Sequence, residues 1–350
     1  MSGADAGTRA RSEPDACSVI WDEAQASALG TAAMATFWIA LEQSGPWGRE
    51  VATQSRLDPA VGMALDRQCR DEGGRLILIR RPGIQPKSPG RRPHRVYLAG
   101  GLAGRPWLLE ADLDDPAQLL RLPWPAMRGG DVQLRGGEAD PRDSDPNRDQ
   151  GFDLGSDLGS DLIQESLPEF DLSPDPILMV CANSRRDICC AVRGRPVAIE
   201  SSSQRPGQVW ECSHTGGHRF APTGILLPYG QALAHLTPTS AVAALDAAAD
   251  GELPEELHGP AYDRGRSHLA PPAQAAESLV RQQIRECSLT ALSTAAGPHP
   301  DQDSAWLCRV AHVDGRQWDV VAVRSSGGGD RPESCGKAAV PSWQWDCVVS

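Results

Sequence analysis

Apolar and polar positions along the chain group into short blocks with recognisable periods. The apolar run Thr36–Leu41 is followed by a helical pattern that extends from Asp58 to about Asp71. Strand-like runs at 76–79 and 95–99 come next. This first block therefore reads as strand, helix, strand, strand.

A second block repeats that order further along the chain. It begins with the apolar run Ile177–Val180, which is typical of a buried strand, and continues with a helical stretch after Cys189. Strands are predicted at 208–212 and 224–229, before an alanine-rich helix at 239–249. The shared order suits a mixed sheet flanked by helices, as in thioredoxin-like folds. We therefore predict an α/β protein with two such units.

The last part of the chain has a different pattern. An amphipathic helix is predicted at 275–287. The apolar runs 306–313 and 317–323 are joined by Asp314-Gly315, which is a strong hairpin signal. These elements predict a small α+β unit at the carboxyl end.

Two stretches rich in Gly, Pro and polar residues separate these blocks, and a polar start precedes them. Low hydrophobicity favours flexible chain in such segments. The predicted organisation is a disordered tail at 1–15, a degenerate thioredoxin-like domain at 16–124, a flexible linker or insertion at 125–174, a second thioredoxin-like domain at 175–253, a linker at 254–272 and the small α+β unit at 273–350.

Charge and cysteine content narrow the function classes. The chain has 46 acidic and 34 basic residues, a net charge of −12. Nucleic acids and anionic membranes both bind basic surfaces, so neither is an expected partner. The start of the chain lacks an apolar secretory segment, and no apolar run has the length of a membrane span. We expect a cytoplasmic protein whose ten cysteines are reduced.

Four potential metal ligands stand out in the second block. Cys181 directly follows the apolar strand, and Cys190 lies nine positions further on. His214 and His218 are spaced H-x3-H, with Gly216-Gly217 between them. The glycines disfavour a helix here and predict a loop whose backbone can pass close to a metal centre.

Two thiolates and two imidazoles suit either zinc or an iron–sulfur cluster. Structural zinc sites usually bring paired cysteines within about two to four residues of each other. The longer C-x8-C spacing encloses a larger group, which favours a cluster over zinc.

Most of the other cysteines show no ligand spacing and are predicted to be small core residues: Cys17, Cys69, Cys212, Cys287, Cys308 and Cys347. For Cys335, in Ser-Cys-Gly, an exposed loop thiol and a packing role are both open.

Two segments resemble the signatures of the sucrase/ferredoxin-like family. They are Cys181-Ala-Asn-Ser-Arg-Arg-Asp-Ile-Cys-Cys190 and Trp210-Glu-Cys-Ser-His-Thr-Gly-Gly-His-Arg-Phe-Ala221. Further similarity to that family lies at Gly45-Pro-Trp-Gly-Arg49, Ile79-Arg-Arg-Pro-Gly83 and Ser334-Cys-Gly336.

The resemblance implies a thioredoxin-like ferredoxin domain with one 2Fe–2S cluster bound by two cysteines and two histidines. By position, the implied ligands are Cys181, Cys190, His214 and His218. Cys189 is the neighbouring alternative, and only the C-x8-C spacing favours Cys190.

The expected function is electron transfer between redox partner proteins, with an electron carrier favoured over an enzyme that has its own substrate. Neutral imidazole ligands raise the reduction potential of a 2Fe–2S cluster above that of a cluster with four thiolate ligands, as in Rieske centres. The second N–H of each imidazole can also ionise, which allows electron transfer to be coupled to proton transfer. Two alternatives remain: a redox enzyme that uses the cluster beside a bound substrate or a thiol such as Cys335, and a zinc-stabilised interaction module.

Overall fold

The computed structural model describes residues 16–83, 93–129 and 169–350. The predicted tail at 1–15 and most of the predicted linker at 125–174 lie outside this part of the chain. The described α-helices are α1 (Cys17–Glu23), α2 (Val51–Gln54), α3 (Pro59–Asp71), α4 (Trp124–Gly129), α5 (Arg195–Gln204), α6 (Pro238–Ala249) and α7 (Pro271–Ile284).

The described strands are β1 (Trp38–Glu42), β2 (Arg75–Arg80), β3 (His94–Gly100), β4 (Trp107–Leu113), β5 (Asp171–Leu172), β6 (Ile177–Cys181), β7 (Val209–Cys212), β8 (Gly224–Leu227), β9 (Gln231–Leu233), β10 (Asp263–Arg266), β11 (Leu292–Pro298), β12 (Ala305–His312), β13 (Gln317–Arg331) and β14 (Val340–Val349). Short helical turns occur at Pro116–Arg121, Cys190–Gly194, His218–Phe220 and Glu255–Leu257, the second of them a π-helix.

Within the described ranges, one mixed sheet contains ten strands in the order β10-β9-β8-β6-β7-β2-β1-β3-β4-β5. In its amino-terminal half, β1 pairs with β2 in parallel and with β3 antiparallel, and β4 follows β3. The other half repeats this arrangement, with β6 parallel to β7 and antiparallel to β8, and β9 beyond. The predicted α/β class, with a mixed sheet flanked by helices, is confirmed.

The crossover helix α3 shows why the amino-terminal half folds as it does. The Asp58 carboxylate accepts hydrogen bonds from the N–H groups of Ala60 and Val61 at 2.8 and 3.2 Å. These bonds satisfy two of the N–H donors at the helix start, and Pro59, at the first helical position, has no N–H that needs an acceptor. The buried face of the helix packs Leu65 against the sheet. The helix predicted over 58–71 is confirmed.

The two halves meet where β2 pairs antiparallel with β7, with Arg80 opposite Glu211. Glu211 is fully buried. Its carboxylate accepts hydrogen bonds from Arg80 Nε at 2.8 Å and from Arg195 Nε at 3.3 Å. A buried carboxylate is stable only when it is paired and hydrogen-bonded, so these arginines hold the junction together.

The second sheet is antiparallel and has the order β11-β12-β13-β14. Helix α7 covers one face of it, where Ala276 and Val280 share a buried cluster with Val310, Val320 and Ala322. The hairpin predicted at Asp314-Gly315 lies between β12 and β13.

The segment predicted to be a linker at 254–272 contains β10, which pairs with β9 at one edge of the large sheet. Arg266 of this strand is buried and donates to both carboxylate oxygens of Glu277, each at 2.7 Å. Thr294 also donates to Glu277, at 2.9 Å. The sequence analysis assigned no strand here because polar and charged side chains, which carry no apolar pattern, replace hydrophobic ones in β10.

Candidate metal centre

The predicted ligands belong to the segments that follow β6 and β7. These strands are parallel, so their carboxyl ends meet at the same edge of the sheet. Cys181 ends β6 opposite Cys212, which ends β7. Cys190 lies after β6, and both histidines lie after β7. The space beyond the carboxyl ends of parallel strands is where open α/β sheets usually bind ligands.

Close backbone packing holds the two cysteines near each other. Cys181 is fully buried, and its N–H donates to the carbonyl of Thr223 at 2.9 Å. A Cβ at Gly194 would lie 2.2 Å from the Cys181 carbonyl oxygen, so a side chain does not fit there. Gly194 therefore lets the π-helix that begins at Cys190 approach the end of β6.

The His214–His218 loop follows the path that its glycines predicted. Gly216 and Gly217 have φ values of +78° and +71°. This left-handed backbone brings the two imidazoles into a stacked arrangement, with ring centroids 4.8 Å apart and an interplanar angle of 24°. Both rings are half-buried. Among the residues that the structure describes, His214 Nδ1 has no hydrogen-bond partner although it is buried.

All four side chains come together. Cys190 Sγ lies 3.3 Å from His218 Nδ1, and the side chains of Cys190 and His214 both lie beside the Cys181 thiol. These contacts, the one with Cys190 above all, hold the pKa of the Cys181 thiol well below its usual value. A thiolate is the form of cysteine that binds metals. The role of the four residues as ligands stays a prediction.

Arg264 of β10 contacts the backbone of the His214–His218 loop. Its guanidinium is fully buried and donates to Gly216 O at 3.1 Å, to Thr31 Oγ1 at 3.0 Å and to Thr31 O. Burial lowers the pKa of Arg264 to about 9, while the nearby thiols of Cys181 and Cys190 oppose that shift. Sequence reasoning missed this residue because it placed Arg264 in a linker.

Donor atoms of two groups lie close enough to hold a metal ion within the described ranges. One group contains Asp187 with two of the predicted ligands, Cys190 and His218. The other contains Asp187 with Cys17, Cys189 and Cys335, which we call the three-cysteine group. Cys17 is buried as predicted, but it lies against other thiols, and Cys189 belongs to this second group.

The region that contains the four predicted ligands matches the sequence model of a known family. The sequence model of the family described as Sucrase/ferredoxin-like matches residues 133–258. This match includes all four predicted ligands and confirms the family resemblance of that region. No curated protein and no solved structure matches the chain.

Arg264 lies beyond the matched range, as do two members of the three-cysteine group, Cys17 and Cys335. In the part of the chain that the structure describes, no helix has both the length and the apolar character needed to cross a membrane.

Proposed function

We propose that the protein carries single electrons between partner proteins of the cytoplasm by means of one 2Fe–2S cluster held by Cys181, Cys190, His214 and His218. A bound cluster of this kind supplies a one-electron redox couple. The observation that carries the proposal is the convergence of two thiols and two imidazoles beyond the ends of β6 and β7.

The donor set fits the cluster chemically. Thiolates are the usual ligands of iron–sulfur clusters, and imidazoles replace two of them in centres of higher potential. The buried Nδ1 of His214, which lacks a hydrogen-bond partner among the described residues, is a donor available for a metal. His218 turns its Nδ1 toward Cys190. The same nitrogen of both rings is therefore the candidate ligand atom.

Burial and a nearby positive charge favour the reduced state of a cluster at this site. Cys181 and Cys190 are almost completely buried, which keeps water from their sulfur atoms. The Arg264 guanidinium, close to these thiols and removed from solvent, contributes a positive charge that favours the more negative, reduced state. Its hydrogen bond to Gly216 O also fixes the histidine loop.

The first test is metal analysis of the full-length chain purified without oxygen. We expect about two irons and two acid-labile sulfides per chain, with visible absorption from thiolate–iron charge transfer. A chain that contains neither iron nor sulfide, before and after reconstitution with both, would refute the proposal.

The second test uses neighbouring cysteines as a matched pair. Cys190 faces His218, whereas the sulfur of Cys189 lies 3.0 Å from that of Cys335. Replacing Cys190 with Ser should abolish or severely destabilise iron binding, and replacing Cys189 with Ser should leave the iron content unchanged. The reverse result would show that Cys189 is the ligand.

A further inference from the structure

Three thiols from distant parts of the chain meet beside the predicted cluster ligands. Cys17 begins α1, Cys189 precedes the π-helix, and Cys335 lies in the loop between β13 and β14. The distances between their sulfur atoms are 3.6 Å for Cys17–Cys189, 3.0 Å for Cys189–Cys335 and 3.4 Å for Cys335–Cys17. All three are free cysteines.

A carboxylate is held against this group. Asp187 Oδ1 accepts a hydrogen bond from the Cys189 N–H at 2.8 Å. Asp187 Oδ2 accepts from the Cys335 N–H at 2.9 Å and from Ser334 Oγ at 2.7 Å. The two oxygens lie 4.0 and 3.8 Å from Cys17 Sγ. Asp187 is therefore fixed by the same loops that carry two of the thiols.

Simple packing does not explain this arrangement. Buried cysteines that serve as core residues contact apolar side chains, as small hydrophobic groups do. Here Cys17 and Cys189, which are 0% and 1% exposed, pack with Ala16 and Ala221 but also face a third sulfur and a carboxylate. A thiol is a weak hydrogen-bond donor, so contacts among three thiols stabilise the fold little by themselves. A cation bound between the three sulfur atoms and the carboxylate, which is already held by three hydrogen bonds, would account for their convergence.

We propose that Cys17, Cys189, Cys335 and Asp187 form a structural zinc site, separate from the cluster proposed above. Zinc prefers tetrahedral sites of sulfur, nitrogen and carboxylate ligands. With zinc–sulfur bonds of about 2.3 Å, tetrahedral geometry places sulfur atoms about 3.8 Å apart. The observed separations of 3.0–3.6 Å require each sulfur to move outward by only a few tenths of an ångström.

The charge and closure of the site also fit zinc. Three thiolates and one carboxylate carry four negative charges, the same as the four thiolates of a common structural zinc site. All four positions are filled by protein, which is the mark of a structural site and not of a catalytic one. Magnesium and calcium are excluded because they bind oxygen ligands. Thiol protons would be released to solvent on binding.

Such a site would connect segments that are remote in sequence. Cys17 and Cys335 are 318 residues apart, and Cys189 directly precedes the predicted ligand Cys190. A zinc ion here would anchor α1 and the β13–β14 loop to the loop that carries Cys190. Its expected role is to fasten α1 and the β13–β14 loop to the body of the protein, with no part in iron binding or electron transfer.

The decisive experiment measures zinc and iron in the same samples of the full-length chain, purified without oxygen from zinc-supplemented cells. We expect one zinc per chain in addition to iron. The double variant Cys17→Ser/Cys335→Ser should lose zinc, whereas the control Cys287→Ser should keep it. The double variant His214→Ala/His218→Ala should lose iron and keep zinc.

Substoichiometric zinc in the wild-type chain would overturn the proposal, as would zinc that persists in Cys17→Ser/Cys335→Ser or another metal that disappears from that variant. Loss of zinc together with iron in His214→Ala/His218→Ala would assign zinc to the cluster site and also overturn it. Absence of iron with zinc present would refute only the cluster.

A measurement on the wild-type chain covers the case in which the cysteine variants do not fold. Zinc-bound thiols resist alkylation until a chelator removes the metal. Alkylation mapped by mass spectrometry should therefore increase at Cys17, Cys189 and Cys335 when zinc is chelated. Unchanged reactivity at these positions, or a disulfide between any two of them in protein purified without oxygen, would contradict the proposal.

Discussion

Replacing Gly217 with Ala tests whether the buried guanidinium of Arg264 is a fixed support of the histidine loop. Gly217 has φ +71° and ψ 43°, a left-handed conformation that costs an alanine about 1–2 kcal/mol. A Cβ at this position would also lie 2.5 Å from Arg264 Nη2. An exposed arginine would move aside, but this one is fully buried and hydrogen-bonded to Gly216 O and Thr31.

The cost of moving Arg264 can be estimated from those hydrogen bonds. Leaving a buried polar group unsatisfied costs about 1–3 kcal/mol. Added to the backbone cost, the expected loss of folding free energy for Gly217→Ala is about 2–5 kcal/mol.

Gly216→Ala is the matched control. Gly216 has φ +78°, yet no atom lies within 4 Å of its Cβ position beyond its chain neighbours. Only the backbone cost of about 1–2 kcal/mol applies there. Urea unfolding of both variants, compared at equal metal content, should show Gly217→Ala to be the less stable by about 1–3 kcal/mol. Equal stability of the two variants would show that Arg264 yields easily and would refute the reasoning.

Four further predictions follow from charged and titratable groups. Glu211→Gln should destabilise the chain by about 3 kcal/mol in urea unfolding, because it leaves the Arg80 charge unpaired at the junction; a change near zero would contradict this. Arg264→Gln should lower the midpoint potential in a redox titration, since a nearby positive charge is lost; an unchanged or higher potential would contradict this. Burial lowers the pKa of His268 from 6.5 to about 4, so the native state takes up fewer protons than the unfolded state between these values. Stability should therefore fall by up to about 3 kcal/mol as the pH falls through that window, and His268→Leu should remove this part of the fall. If reduction is coupled to protonation of the His218 imidazole, the midpoint potential should fall by about 59 mV per pH unit over part of the pH range. A midpoint potential that does not change with pH would reject the coupling.

Much of the fold could be predicted because its buried elements show apolar periodicity. The strand at Ile177–Cys181 is continuously apolar and buried on both faces, and helix α3 begins with a clear cap and proline. By contrast, β10 consists of Asp-Arg-Gly-Arg and is buried throughout. Its burial depends on the ion pair of Arg266 with Glu277 and on hydrogen bonds of Asp263 and Arg264 to partners elsewhere in the chain, which a local pattern cannot reveal.

The candidate site was predictable to the extent that its residues lie in two short motifs. The positions of Cys181, Cys190 and the H-x3-H pair gave all four predicted ligands, and the structure brings them together. The three-cysteine group has no such motif, since Cys189 and Cys335 are 146 residues apart. Only the folded chain places these sulfur atoms side by side.

The antiparallel pairing of β2 with β7 has a consequence for the amino-terminal half, which contains none of the four predicted ligands. Each half on its own would expose a sheet edge there, and open edges are templates for aggregation. In the joined sheet, as far as the described residues show it, the outer strands are β10 and the two-residue β5. The amino-terminal half thus covers the edge of the ligand-bearing half, and a chain cut down to the ligand-bearing half would expose the edge of β7.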